Sequence, residues 1–229
     1  MSDAGALLFA RYAYPPNELG YCGPGGGPLL AAGPAEIARR ARGFEGAWAY
    51  LEFLAAVAGV DDPLDPAVVS AYWIGGPLLG AAEPGALLAF LGERFAGQVG
   101  GTWREAGARA LPHHSFHVFE VYPWAGLLRR TGHPAALRVL DRCRIRVGTV
   151  REVDGDTATV SCCPLVTCGG GRIEPGPSRA ETVRWPAGLL GALGAGDRVA
   201  LHWDWICDRL DDGQAALIES HERCRLSFE

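Results

Sequence analysis

Cys143 is the cysteine best placed in the sequence to do chemistry, because it stands just before a predicted β-hairpin. The run 146–160 carries β-branched residues on both sides of Asp154-Gly155-Asp156, and Asp-Gly tolerates the positive φ angles of a tight hairpin turn. We therefore expect the thiol to lie at the mouth of the hairpin, outside its ladder of hydrogen bonds. A thiolate in such a position can act as a metal ligand or as a nucleophile.

Three arginines flank this cysteine in the sequence: Arg142, Arg144 and Arg146. Positive charge favours the thiolate form, so these side chains should lower the pKa of Cys143. The competing interpretation is a partly buried cysteine without a function.

The densest group of imidazoles is His113, His114 and His117. If a helix begins at Ser115, His114 and His117 are three residues apart and can face the same way, as metal ligands require, with Glu120 one step further along that face. His113 would support the site or contact a partner. The alternative is a helix that Ser115 caps, with histidines that hydrogen-bond to neighbouring loops.

Cys22 adds a further candidate ligand within the glycine-containing segment 17–24. Glycines allow the backbone to approach a ligand closely, and the segment would be a natural lid over the histidines. The alternative is a structured loop that covers the helical part of the chain.

The segment 202–207 alternates in character, as a β-strand does. His202 and Asp204 would then share one face, with Trp203 and Trp205 on the other. His202 and Asp204 are therefore candidates for supporting residues of a site or for a partner surface.

The first half of the chain predicts helices that would carry these histidines. Proline and glycine make the first 30 residues irregular, whereas apolar residues recur every three or four positions further on. The predicted helices cover 34–59, 66–79, 84–98 and 115–130, with a break at Gly100-Gly101 and a kink or new start at Pro123.

The second half predicts strands. Val139–Val150 is strand-like, the hairpin follows, and further strand-like runs cover 165–173, 181–185 and 198–210, before a short closing helix at 215–222. The fold class is therefore α+β. We expect a mostly helical domain over 1–137 and a β-rich domain over 138–229, with the boundary within 132–142.

Composition limits the functional classes. The net charge of −5 argues against a general binder of nucleic acids, and the absence of lysine among 21 basic residues rules out lysine-based catalysis. No run approaches the roughly 20 apolar residues of a membrane span. The start lacks the character of a signal peptide, and the cysteines do not form a secreted disulfide pattern, so we expect a cytoplasmic protein that does not act at a membrane.

The order of these features in the β-rich half resembles the HypC family of [NiFe]-hydrogenase maturation chaperones. Cys143 precedes Gly148 by five residues, as in that family, and the hairpin 153–160 is similar throughout. The segments 193–202 and 208–212 resemble the family's later strand and the acidic start of its last helix. Over its whole length the chain also resembles an uncharacterised family of high-GC bacterial proteins (DUF6390-like).

The resemblance implies a small OB-like β-barrel for 138–229, which would bring His202 and Asp204 near Cys143. It also implies that Cys143 is a ligand to iron carrying cyanide and carbon monoxide, or a residue for docking. The partners would be a HypD-like scaffold and the precursor of the hydrogenase large subunit.

Two hypotheses from different classes follow. The first is an accessory protein of hydrogenase maturation that acts through Cys143, with the helical domain either presenting this residue to a partner or supplying the other half of its site. The second is a metal-dependent enzyme whose site lies in the helical domain around His114 and His117, with Glu120 or Cys22 as further ligands and the barrel as a docking module. Whether the protein is an enzyme is left open by the sequence.

Overall fold

The computed structural model describes residues 2–97, 103–168 and 172–226, and it combines helices with a sheet, as predicted. By its internal contacts the chain divides into two compact units, Met1–Pro123 and Trp124–Glu229, called here the helical unit and the β unit. This division lies before the predicted boundary, so the residues between 124 and 137 belong to the β unit.

The helical unit is built from short helices around an aromatic core. Its longer helices are α1 (Asp3–Glu18), α2 (Pro34–Ala41), α3 (Glu45–Ala58), α4 (Pro66–Trp73), α5 (Pro77–Gly80) and α6 (Pro84–Arg94). Short 3₁₀ turns follow, and α7 (His114–Phe116) then continues directly into a π-helical segment, His117–Val121. The largest buried side chains of this core include Phe9, Tyr12, Tyr50, Tyr72, Trp103 and Phe116.

Helix α1 contradicts the prediction of an irregular start. Ser2 caps it by accepting a hydrogen bond from the Gly5 backbone N–H, and apolar residues at helical spacing are buried along one face. Pro15 and Pro16 come only in its last turns, close to where the helix ends. Both prolines are buried, so their packing offsets the helix hydrogen bonds that they cannot make.

Two of the predicted helices are each divided. The 34–59 helix is interrupted between α2 and α3, although it ends as expected at Gly59, which has a φ of +67°. The 66–79 helix is interrupted at Gly75 and Gly76, whose positive φ values lie outside the helical region. Helix α6 ends at Arg94, and both Gln98 and the predicted break at Gly100-Gly101 lie outside the described residues.

Of the two outcomes predicted at Pro123, a kink or a new start, the structure shows a new start, since α8 (Pro123–Thr131) begins there, and α9 (Pro134–Cys143) follows. The strand-like interpretation of 139–143 is wrong, because these residues complete α9. His133 caps this helix by accepting from the Ala135 N–H at 3.1 Å, and Pro134 occupies its first position. The buried residues of this helix, Ala136, Val139, Leu140 and Asp141, recur at helical spacing.

The β unit contains one larger sheet and a separate two-stranded ribbon. The strands are β1 (Arg146–Asp154), β2 (Thr157–Cys162), β3 (Leu165–Thr167), β4 (Ile173–Pro175), β5 (Arg179–Arg184), β6 (Arg198–His202) and β7 (Trp205–Leu210), accompanied by α10 (Ala187–Leu190) and α11 (Asp212–Leu226). The larger sheet has the order β1-β2-β5-β7-β6, and β6 also pairs with β1, so the sheet closes. Its weakest link is a single parallel pair, Arg184 with Trp205.

The turn signals read from the sequence agree with this sheet. Asp154 pairs with Thr157 across the hairpin, and Gly155 has a φ of +58°. Gly196, before β6, has a φ of +95°. The apolar residues on the inner side of the closed sheet form one core: Val150, Ala158, Val160, Cys162, Val183, Trp185, Val199, Leu201 and Ile206.

The predicted strand over 198–210 consists of two strands, since the chain turns at Trp203 and Asp204. Trp203 has a φ of +57°, which no residue in a continuous strand adopts. The expected alternation of 202–206 is therefore interrupted. The predicted run 165–173 is also divided, into β3 and β4, and residues 169–171 between them lie outside the described part.

Candidate functional site

Cys143 and His202 lie at the ends of two elements that the backbone holds together. Cys143 is the last residue of α9 and is partly buried, whereas His202 is the last residue of β6 and is almost fully buried. The Trp203 N–H donates to the Arg142 carbonyl at 2.8 Å, and the Arg146 guanidinium donates to the Trp203 carbonyl. The turn after His202 is thereby fixed to the residues on both sides of Cys143.

The structure therefore brings the Cys143 thiol and the His202 imidazole together. The Cys143 Sγ and a ring nitrogen of His202 lie within 4.8 Å of each other. Tetrahedral zinc, with bonds of about 2.3 Å to sulfur and 2.0 Å to nitrogen, places such donors about 3.5 Å apart. A modest change in side-chain torsions would let both atoms bind one ion. Thiolate and imidazole together suit zinc, iron and copper.

Asp204 does not join this pair as the sequence suggested. It lies in the turn between β6 and β7 and is exposed, while its carbonyl accepts from the Arg184 N–H at 2.8 Å. Its place in a turn, rather than in a strand, removes it from the face of His202. Its side chain remains a candidate only for partner contact.

The arginines that flank Cys143 are engaged in ion pairs. Arg144 donates to Asp141 at 2.8 Å and pairs with Glu222, while Arg142 and Arg146 both pair with Glu181, at 3.2 and 2.8 Å. Carboxylates thus offset the positive charge that the sequence placed around the thiol. The main role of these arginines is to hold α9, β1, β5 and α11 together.

Glu181 shows the strength of this network. Burial alone would raise the pKa of this carboxyl, but the charge of Arg146, with hydrogen bonds from Arg146 and Arg179 and the charge of Arg142, lowers the pKa to about 2. The carboxylate is therefore charged at every physiological pH. The negative charge of Glu181 in turn offsets the desolvation cost of burying Arg146, whose side chain is 1% exposed.

In the helical unit, His113 rather than Ser115 caps α7. The His113 Nδ1 accepts from the Ser115 N–H at 3.1 Å and lies 2.8 Å from the Ser115 hydroxyl. His114 is the first residue of α7, and its Nδ1 lies 3.2 Å from the Tyr72 hydroxyl, with its ring packed on Trp73 at 4.6 Å between centroids. A hydrogen bond at one ring nitrogen orients a histidine that binds a metal through the other.

His117 lines a cavity of about 400 Å³ within the helical unit. Its ring packs edge-on against Tyr50, and Glu45, Arg94 and Tyr122 also line the cavity. Burial, with a smaller contribution from the charge of His114, lowers the pKa of His117 to about 3. The imidazole is therefore neutral, as a metal ligand or hydrogen-bond acceptor must be.

Gly46 is required for this position of His117. A Cβ at residue 46 would lie 2.8 Å from the His117 Nε2, closer than real side chains approach. His117 also begins the π-helical segment, a rare distortion that occurs frequently at functional sites. Neither signal can be read from residue spacing, because Gly46 is distant in sequence and the π-helix has no simple pattern.

The other predicted ligands of the helical unit are placed separately. Glu120 is buried, with the Arg109 Nε 3.9 Å away. Cys22 is exposed in a loop that Asn17 holds by donating to the Cys22 and Pro24 carbonyls. Among residues 2–97 and 103–123, no group of three ligating side chains contains His117, Glu120 or Cys22.

The loop around Cys22 does approach the cavity beside His117. The Tyr122 hydroxyl donates to the Tyr21 carbonyl at 3.5 Å, and the Phe44 ring packs closely against Gly23. The loop thus contacts a residue that lines the cavity.

Comparison with known proteins gives a family and no function. No curated protein and no solved structure matches the chain, so the resemblance of the β unit to HypC stays a prediction. Within the described residues, no helix has both the length and the apolar character needed to span a bilayer. The model of a family of unknown function, DUF6390, matches residues 1–228, and the chain belongs to that family.

Proposed function

We propose that the protein is an accessory protein of [NiFe]-hydrogenase maturation that holds an iron fragment through Cys143, with His202 as a second ligand. The single observation that carries the proposal is the pair of donors within 4.8 Å at the joined ends of α9 and β6. The identity of the cargo rests on the resemblance to HypC, in which the corresponding cysteine binds iron with cyanide and carbon monoxide.

The chemistry of the pair suits such a cargo. A soft thiolate favours low-spin iron, and imidazole is also a common iron ligand. Two protein ligands leave further positions for diatomic ligands and for a ligand from a partner. Cys143 is only partly buried, which lets a partner deliver or receive the fragment, while the more deeply buried His202 would keep its orientation.

The partners proposed are a HypD-like scaffold and the precursor of the hydrogenase large subunit. Transfer between such partners needs a site that is fixed in shape but not enclosed. The hydrogen bonds from Trp203 and Arg146 fix the turn beside Cys143, which meets the first requirement.

The test is to isolate the protein after co-expression with the hydrogenase maturation machinery and to record iron content and infrared spectra. We expect cyanide and carbonyl bands in the wild type, their loss in Cys143→Ala, and a clear reduction in His202→Ala. Cys224→Ala is the matched control, because it removes an exposed thiol on α11 and should keep the bands. A Cys143→Ala protein that retains the bands and still supports maturation would show the proposal to be wrong.

Titration with Co²⁺ tests the donor pair without any maturation protein. The wild type should give a sulfur-to-cobalt charge-transfer band that Cys143→Ala abolishes. If His202→Ala leaves both the band and the Co²⁺ affinity unchanged, His202 is not a ligand.

The second candidate function is a metal-dependent enzyme with its site in the helical unit around His114 and His117. The cavity of about 400 Å³ beside the neutral His117 favours this alternative, because its size suits a small substrate. Under this function, bound metal should survive Cys143→Ala and disappear in a protein carrying both His114→Ala and His117→Ala. Metal analysis of these two variants separates the two functions.

A further inference from the structure

A cleft lined by arginines lies on the β unit and contains neither Cys143 nor His202. Its volume is about 390 Å³, and five arginines line it: Arg144, Arg146, Arg151, Arg198 and Arg223. The cleft is called here the arginine cleft. Residues of β1, β2, β6 and α11 form its walls, so every wall belongs to one unit.

Positive charge exceeds negative charge in the arginine cleft. Glu219 and Glu222 are the two acids among its lining residues, against five arginines. Asp141 and Glu181 bind Arg144 and Arg146 from outside the lining, and even with them one positive charge remains in excess. This local excess stands out in a chain whose net charge is −5.

Two of the five arginines are held rigidly. Arg144 bonds to Asp141, to Glu222 and, at 2.6 Å, to the Cys163 carbonyl, and its side chain is 4% exposed. Arg146 is held by Glu181 and the Trp203 carbonyl. Side chains fixed in this way lose little entropy when a ligand binds, which is the advantage of a preorganised site.

The cleft also has donor groups that the described residues leave unused. The Nε atoms of Arg146 and Arg198 are buried without a hydrogen-bond partner. Leaving a buried donor unsatisfied is unfavourable, so a ligand that accepts from it is favoured. Arg151 and Arg223 are exposed at the cleft, and neither is in an ion pair within the described part of the chain. The Arg151 Nε donates to the Ser161 hydroxyl at 2.7 Å, which leaves its terminal nitrogens for a ligand.

We propose that the arginine cleft binds a small molecule that carries a phosphate or carboxylate group. Guanidinium groups bind the oxygens of both groups in a two-pronged geometry, and the cleft volume is that of a small-molecule site. Val147 and Pro175, among the lining residues, offer apolar contact for the body of the ligand. The hydroxyls of Ser161 and Ser178 add donors of the kind that contact phosphate.

The experiment is isothermal titration of the full chain with pyrophosphate and, separately, with citrate at constant ionic strength. We expect saturable binding of at least one of them. Arg151→Gln and Arg223→Gln should each weaken it about tenfold or more, since each removes a charge-assisted hydrogen bond. Binding of pyrophosphate alone would assign the site to phosphorylated ligands, and binding of citrate alone to carboxylates.

Two variants make the result specific to the cleft. Arg209→Gln removes the same charge outside the cleft, from an exposed arginine on β7 that pairs with Asp197 at 3.0 Å. This variant should bind each probe with the affinity of the wild type. Cys143→Ala should also keep the affinity of the wild type, because Cys143 does not line the cleft. Absence of binding by both probes, or equal weakening in Arg209→Gln and Arg223→Gln, would overturn the proposal. Thermal unfolding of each variant separates lost binding from lost structure.

Discussion

The two units differ in how they bury polar side chains. The helical unit encloses histidine rings among aromatic side chains, as when Tyr72 and Trp73 surround His114, and it also buries the charged side chains of Arg40 and Glu120. The β unit encloses full charges, of which Arg146 with Glu181 is the most deeply buried pair. Removing a charge from water costs far more than removing a neutral polar group, so the charges must be paired almost completely. Single donors in the β unit still lack partners, as the buried Nε of Arg146 does, and the buried Nδ1 of His117 in the helical unit likewise has none.

This difference indicates which chemistry each unit is suited to. A neutral histidine with a free hydrogen-bonding nitrogen beside a cavity can accept a hydrogen bond from a small molecule. A paired network fixes geometry, since Arg146 alone joins Glu181 of β5, Cys162 of β2 and the carbonyl of Trp203. The network therefore keeps Cys143 and His202 in place.

The largest expected effect comes from breaking the network of the β unit. Arg146→Met should lower the free energy of unfolding by about 3 to 5 kcal/mol, because Glu181 would be left buried without its main partner. Urea unfolding followed by circular dichroism measures this loss. A protein carrying both Arg146→Met and Glu181→Leu should recover part of it, since Arg142 and Arg179, the other partners of Glu181, are partly exposed and can be solvated.

The control for that variant is an exposed ion pair of the same unit. Arg209→Met removes the pair with Asp197, and the loss should stay below about 1 kcal/mol because water screens these charges. Equal losses of unfolding free energy in Arg146→Met and Arg209→Met would mean that the buried ion pair stabilises the β unit no more than the exposed one.

The helical unit should instead be sensitive to volume. Gly46→Ala should destabilise the protein by about 1 to 3 kcal/mol, because the new methyl group forces His117 out of its position. Gly92→Ala is the matched control. It lies in α6 with no heavy atom within 4 Å of an added Cβ, so it should stabilise the protein by about 0.5 to 1 kcal/mol. Thermal unfolding of the two variants measures the contrast, and destabilisation by both would refute the steric explanation.

The two units also show how much of the fold can be predicted from the sequence. Local signals predicted the hairpin at Gly155, the helix start at Pro123 and the mixture of helices and strands, because each depends on residues adjacent in the chain. The same signals failed at α1, where prolines look disruptive but are buried at the end of a helix. They failed again at 139–143, where a cap at His133 decides the structure.

The residue types of the candidate site could be read from the sequence, but the proximity of Cys143 and His202 was expected only from the resemblance to HypC. It depends on the turn at Trp203, a left-handed residue that no spacing rule indicates. The ion pairs of Arg144 with Glu222 and of Arg146 with Glu181 join distant parts of the chain. Sequence spacing therefore predicted charge around Cys143 but could not predict its neutralisation.

The smallest expected effect is a difference in pH dependence between the units. The pKa of His117 is lowered from 6.5 to about 3, so between these values the unfolded chain binds a proton that the folded chain does not. Stability from this residue is complete above pH 6.5 and is lost as the pH falls toward 3. The pKa of Glu181 is lowered from 4.5 to about 2, so its contribution is lost only below pH 4.5.

Urea unfolding of the wild type, His117→Gln and Glu181→Gln from pH 7 to pH 3 separates the pH ranges in which the two residues affect the free energy of unfolding. Between pH 6.5 and 4.5, His117→Gln should lose stability less steeply than the wild type, by at most about 1.4 kcal/mol per pH unit, the limit for one proton. Glu181→Gln should parallel the wild type there and diverge only below pH 4.5. If His117→Gln instead parallels the wild type throughout, the imidazole is protonated in the folded state. The aromatic surroundings of His117 would then hold a charge, and the contrast between the two units would not hold.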